Sequence, residues 1–249
     1  MQTPSFTTQD VGLFDRLGRI FYDPQTSFVA VRERETSQDW FAPIAIAVLV
    51  GLMSHFITMD ISHDPNLPEF QKKLESLTEE QRQIALDNLE GSREHSWMQI
   101  PVVAFMSLVV IGVVLLGLAK GVFQAEVTLR EMLVLKGYAS ILLVPETVLR
   151  TLMVLVKGSP SVHTGPGAFV PAEWAGTFVG NLMTAINLFD LWQGWVMGVG
   201  LAVLASVSEK KAFFAIFTLY LLWIVVGAAV ETVAPRIPPP PPDIPPSIE

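Results

Sequence analysis

Apolar and polar positions alternate along this chain on two scales. On the longer scale, sparsely charged apolar stretches run from Trp40 to Met59, Trp97 to Ala119, Met132 to Val156, Thr177 to Val207 and Ala212 to Val233. Each reaches or exceeds the roughly 20 residues that an α-helix needs to cross hydrocarbon, so five membrane spans are predicted. The fourth stretch is too long for one upright span of about 30 Å, and its crossing part is placed at 183–207. On the shorter scale, Val11, Leu13, Phe14, Leu17, Ile20 and Phe21 recur at helical spacing and predict an amphipathic helix lying in the membrane interface. Asp23 before Pro24 reads as an N-cap with proline at the first helical position, opening a second short helix through Phe28 and Val31.

The connections have their own signals. Leu67 to Leu89 is polar with helical periodicity, Thr78 and Gln81 stand at capping-box spacing, and Gly91 reads as a stop, which predicts an extramembrane helical arm over 60–96. Gly158 to Pro171 reads as a loop, and Pro238 to Pro246 as an extended polyproline tail. The expected organisation is therefore a leader over 1–39, a five-helix membrane domain over 40–233 (spans about 40–59, 97–119, 132–156, 183–207 and 212–233) carrying the 60–96 arm, and a proline-rich disordered tail over 234–249. The fold class is all-α and polytopic.

Composition sharpens this picture. Of the 249 residues 51% are hydrophobic and only 16% charged, below the roughly 25% of soluble domains, so the bilayer is the expected solvent. The net charge of -8 gathers between the first two apolar stretches, from Asp60 through Glu69, Glu79 and Glu80 to Glu94, which argues against a nucleic-acid partner. Cysteine is absent, which removes disulfides, thiolate metal sites and cysteine nucleophiles. No cleavable signal is visible, since the first apolar run starts only near Trp40. Basic residues beside the spans favour a cytoplasmic side with Arg32, Arg34, Lys120, Arg130, Lys210 and Lys211, against Arg93, Lys157 and Arg236 opposite. The N-terminus is thus expected in the cytoplasm and the C-terminus outside, in a bacterial inner membrane. Trp40, Trp97, Trp174 and Tyr138 are placed at the interfaces.

Candidate chemistry lies in the spans, where an ionisable group costs about 2.5–3.5 kcal/mol at a helix centre and needs a partner or a purpose. His55, Lys136, Glu146, Arg150, Asn181, Asn187, Asp190, Gln193 and Glu231 are such groups. Counting along alternating spans brings His55, Glu146, Arg150, Asn187 and Asp190 to a similar depth, an intramembrane polar cluster in which Arg150 would pair with Asp190 or with Glu146 one turn away. Gly194, Gly198 and Ala202 form a small-residue stripe for close helix packing or a homo-oligomer contact, and Gly117 with Gly121 a shorter one. No phosphate loop, zinc helix or nucleophile elbow occurs, so no cofactor, metal or catalytic residue is expected. Asp60, His63, Asp64 and His95 read as solvated loop residues.

Three segments together resemble a known family. The leader Phe21-Tyr22-Asp23-Pro24-Gln25-Thr26-Ser27-Phe28, then Gly137-Tyr138 with Pro145, then Asn187-Leu188-Phe189-Asp190-Leu191-Trp192 followed by Gly198, Gly200 and Ser208 to Ala212, are similar in order to the Yip family, the Ypt/Rab-interacting-protein membrane domain, in a bacterial-type form. The resemblance implies a five-helix membrane domain with a cytoplasmic N-terminal segment and, in eukaryotic relatives, a role in vesicle traffic. It implies nothing for the arm or the tail. The favoured reading is a non-enzymatic scaffold or adaptor that binds other membrane proteins or organises membrane lipid. A transporter with a polar path through Glu146, Arg150, Asn187 and Asp190 is the alternative.

Overall fold

In the computed structural model, which describes residues 12–33, 38–75 and 77–233, the chain is helical with no strand among the described residues. The leader forms α1 (Leu13–Arg19) and α2 (Pro24–Glu33), and α3 (Gln38–Ser62) follows. Next come α4 (Pro68–Glu75), α5 (Glu79–His95) and α6 (Gln99–Gly121), then α7 (Leu129–Ser140) and α8 (Leu143–Lys157). The chain closes with α9 (Phe178–Ala185), α10 (Leu188–Leu204) and α11 (Glu209–Val233). Four helical runs are long and apolar enough to cross a membrane: Gln38–Ser62, Glu79–Gly121, Leu129–Lys157 and Glu209–Val233. The protein is thus a multi-pass membrane protein. The expected fourth span is represented by α10, an apolar helix whose 17 residues cover about 25 Å, a little less than the hydrocarbon core.

Local chemistry sets most boundaries. The Asp23 side chain accepts the Thr26 amide at 3.2 Å and Pro24 opens α2, as its fixed φ and missing N–H favour. Capping boxes open α5 at Thr78 and Gln81 and α7 at Thr128 and Glu131. Gly158, at φ 65°, ends α8 in the left-handed conformation. Two expected boundaries differ. Gly91 does not stop the arm: it stays helical and exposed, and α5 passes through a 3-10 turn at Ser96–Met98 into α6, so that arm and second span make one run of 43 residues. A lone glycine costs a helix only about 1 kcal/mol, which the flanking turns outweigh. The third stretch, in contrast, is broken at Ile141 and Leu142. In an unbroken helix Pro145 would press its ring on the Ile141 carbonyl; placed in the first turn of α8, it needs no N–H partner.

The tightest core is at the leader end. Ile20, Phe28 and Val31 are fully or almost fully buried among Met132, Leu135 and Tyr138 of α7 and Val196 and Leu201 of α10. The inner side of the leader stripe therefore packs on protein, while Phe14, Tyr22 and Val29 stay exposed. Elsewhere the spans show long apolar surfaces, such as Val102, Phe105, Met106 and Val110 on α6, as lipid-facing helices do. Val11, Arg34, Arg236 and the proline tail lie outside the described residues.

Gly200 is the point where α10 meets leader and α7 together, because a Cβ there would lie 2.2 Å from Leu135 Cδ1 and 2.6 Å from Phe28 Cε2. Gly200→Ala is expected to cost about 1–3 kcal/mol by overpacking and to loosen the leader. Gly117→Ala, where nothing lies within 4 Å, serves as the control. Melting in detergent with limited proteolysis of the leader checks this, and equal protection of the leader in both variants would contradict it.

Candidate functional site

Polar groups buried in an apolar bundle assemble at three places, each at a helix end or break. The first holds the leader. Arg16 of α1 makes an ion pair with Asp39, the second residue of α3, at 2.8 Å, with both side chains almost wholly out of solvent. Asp39 also accepts the Tyr138 hydroxyl of α7 at 2.5 Å. Ser27 of α2 donates to the Arg16 carbonyl at 3.0 Å. Arg32 donates to the Val203 carbonyl near the end of α10 at 2.9 Å, where a helix dipole favours a cation. Gly137 allows the approach of α3, since a Cβ there would lie 3.1 Å from the Trp40 carbonyl oxygen. Trp192 meets Phe21 edge-to-face at 5.8 Å. Tyr138 is thus fully buried within protein, where the Asp39 carboxylate accepts its hydroxyl.

The second assembly spans the breaks between α7 and α8 and between α9 and α10. Lys136, 3% exposed, donates to the Gln193 side chain at 2.8 Å, and Gln193 donates to the Ala139 carbonyl at 3.0 Å, in the last turn of α7 where carbonyls lack helical partners. Asp190, in the first turn of α10, acts electrostatically on Lys136 from beyond ion-pair distance. Asn187 caps α10: its side-chain oxygen accepts the Phe189 amide at 2.9 Å and the Thr164 hydroxyl at 3.1 Å, while its amide donates to Glu146. The end of α7 and the starts of α8 and α10 are held together by these side chains.

The third lies on another face. His55 of α3 shares a hydrogen bond with Ser96 at 3.2 Å, and Ser54 one with Thr151 at 2.5 Å. Together with Gln99 and Arg150, His55 and Ser96 stand at the polar end of a cavity of about 670 Å³ between α3, α6 and α8. The predicted cluster is therefore divided. Glu146 and Asn187 meet, with Asp190 one turn along α10, whereas His55 and Arg150 belong to the groove. Arg150 is exposed and, among the described residues, makes no ion pair with Asp190 or Glu146, although its charge acts on Glu146 from a longer distance.

The small-residue stripe faces inward. A Cβ on Gly198 would lie 3.3 Å from Phe213 Cα, and Gly194 faces Phe217 and Ile216, so the stripe seats α11. Pro145 marks the α7–α8 break. In the arm, Asp60 pairs with Arg93, and Asp64 accepts the Asn66 amide at 2.8 Å. Among the described residues no group of three or more His, Cys, Asp or Glu is placed to hold a metal. Arg16, Asp39 and Lys136 with Gln193 are the partners that sequence reasoning did not join; the usable signals were the buried-side position of Arg16 on the leader stripe and an acid at the very start of a span.

Two tests follow from these contacts. Asp39→Ala leaves Arg16 buried without its carboxylate and is expected to cost about 3–5 kcal/mol, whereas Tyr138→Phe costs about 1.5–3 kcal/mol. Denaturation of both and of the double variant in one detergent checks the coupling, and strictly additive losses would contradict it. Asn187→Asp keeps the cap oxygen but sets a carboxylate against Glu146. It is expected to lower the melting temperature, and adding Glu146→Gln should recover most of the loss; a double variant no better than the single one would refute the link.

No curated protein and no solved structure matches the chain. The family model described as Yip1 domain matches residues 18–230, a span that takes in the Phe21–Phe28 segment, Gly137-Tyr138, Pro145 and the Asn187–Trp192 segment, and begins two residues after Arg16. With that match across most of its length, and with the leader, α7 and α10 joined through those same segments, this chain belongs to the Yip1-domain family of membrane proteins.

Proposed function

We propose that the protein is a non-enzymatic membrane scaffold or adaptor that presents its leader to other membrane proteins. One observation carries this reading: the leader is anchored on the bundle by the buried Arg16–Asp39 pair, yet leaves Phe14 79% and Tyr22 72% exposed on its outer side. An ordered extramembrane element with two protruding aromatic groups suits recognition, because aromatic anchors dominate interface energies and an ordered segment has little entropy left to lose. Against a transport path stands the mutual satisfaction of Lys136, Gln193, Glu146 and Asn187, none of which lines the 670 Å³ groove.

The leader faces the cytoplasm of a bacterial cell in this reading. Its support is the gathering of Arg32, Lys120, Arg130, Lys210 and Lys211 at the helix ends nearest the leader. Because the chain has no cysteine, Tyr22→Cys provides a single label. An impermeant maleimide should label it only after the membrane is opened, and labelling of intact cells would reverse the orientation. A photoreactive amino acid at position 14 should cross-link one specific protein in native membranes, lost in Asp39→Ala. Cross-links to lipid alone would overturn the adaptor reading.

A further inference from the structure

The groove between α3, α6 and α8 serves none of the roles given above, and its polarity changes along its length. α3 and α6 are successive spans running in opposite directions. Ile44 and Ser107 therefore lie toward one end, and His55, Ser96 and Gln99 toward the other. The Ser54–Thr151 hydrogen bond fixes the level of α8, which brings Arg150 to the same end as His55. Below that end the walls are mostly apolar, with Ala47, Val48, Val103 and Ala104 and the small hydroxyls of Ser107, Ser140 and Thr147 among them, and Val103 is 63% exposed, so the groove opens sideways toward lipid.

Charge decides what fits. No carboxylate lines the groove, and Arg150 is exposed without an ion pair among the described residues. Glu146, one turn earlier, accepts the Asn187 amide and acts on Arg150 only from beyond ion-pair distance, which leaves the guanidinium donors open to a second anion. A guanidinium presents several donors in a planar fork that matches phosphate oxygens. It stands seven residues, about 10 Å, before the end of α8 at Lys157, within reach of the headgroup level for a long side chain that extends toward the interface. A volume of about 670 Å³ falls in the usual range of about 300–1,000 Å³ for small-molecule sites.

We propose that this groove binds one anionic phospholipid, its phosphate at Arg150 beside His55, Ser96 and Gln99, and one acyl chain along Ala47, Val48 and Val103. The apolar length of the groove and its lateral opening favour a lipid over a soluble phosphate. The inference goes beyond the adaptor reading and stands without it, since it concerns a different face of the bundle.

The test uses the full-length protein, delipidated in detergent and offered equal amounts of dioleoylphosphatidylglycerol and dioleoylphosphatidylcholine, with native mass spectrometry as readout. One phosphatidylglycerol should be retained in preference. Arg150→Gln should reduce that preference about tenfold, as expected for loss of a charge-assisted hydrogen bond, and Arg150→Lys should keep most of it. Ala47→Phe, which fills the apolar part, should release both lipids. Equal retention of the two lipids by the unaltered protein, or an unchanged preference in Arg150→Gln, would overturn the proposal. A phosphatidylglycerol carrying a diazirine in its acyl chain gives a check that needs no variant: labelled peptides should come from α3 or α6 at the groove, and labelling confined to other helices would equally overturn it.

Discussion

A buried carboxylate at the start of the first span governs how this protein is put together. Asp39 has no exposure, so its charge must be balanced by protein, and Arg16 and Tyr138 do this from two other elements. One group thereby joins the leader, the first span and the third. The apolar contacts agree with that constraint: Ile20, Phe28 and Val31 fill the space between α7 and α10 only when the leader lies where Arg16 reaches Asp39. Apolar burial supplies most of the attraction here but is poorly directional, whereas the ion pair adds a contact of defined geometry.

The helix breaks pose the opposite problem. In hydrocarbon a broken helix exposes amides and carbonyls that water would otherwise satisfy, and such irregular backbone is tolerated only where protein covers it. The break after α7 is served by a side chain of α10, and the break before α10 by its own cap. Gln193 of α10 serves the end of α7, and Asn187 serves the start of α10 while reaching Glu146 of α8. Pro145 imposes one break and Asn187 caps the other, and Glu146, Asn187 and Gln193 link the two interrupted helices.

How much of this was legible in the sequence depended on the range of the contact. The Asp23 cap before Pro24, the Thr78–Gln81 box and the apolar stretches are local patterns, and the helices follow them. Gly91 misled because a glycine stops a helix only where a left-handed turn follows, and none follows there. The burial of Tyr138 could not be read locally, because its partner Asp39 lies 99 residues away. Depth counting brought Glu146 and Asn187 together correctly, but it carries no information on helix rotation, so His55 and Arg150 were set in the same cluster although they face a different groove. The family-like segments carried more than they seemed to: Gly137, Tyr138, Trp192 and Gly200 all lie where leader, α7 and α10 converge.

That convergence explains a division of labour in the bundle. At the leader end, charges are buried, paired and tightly packed, which suits a part that must hold one shape. Along α3, α6 and α8, away from that end, the packing opens, polar groups line a groove, and Arg150 keeps its charge at the surface. A charged side chain is costly in a lipid-facing position unless it reaches water, headgroups or a partner. Among the described residues no ion pair holds Arg150, which acts on Glu146 only from a distance, whereas Arg16 shows how this chain treats a cation that it buries. The two arginines thus face the same physical demand with different answers, one internal to the fold and one directed toward the membrane around it.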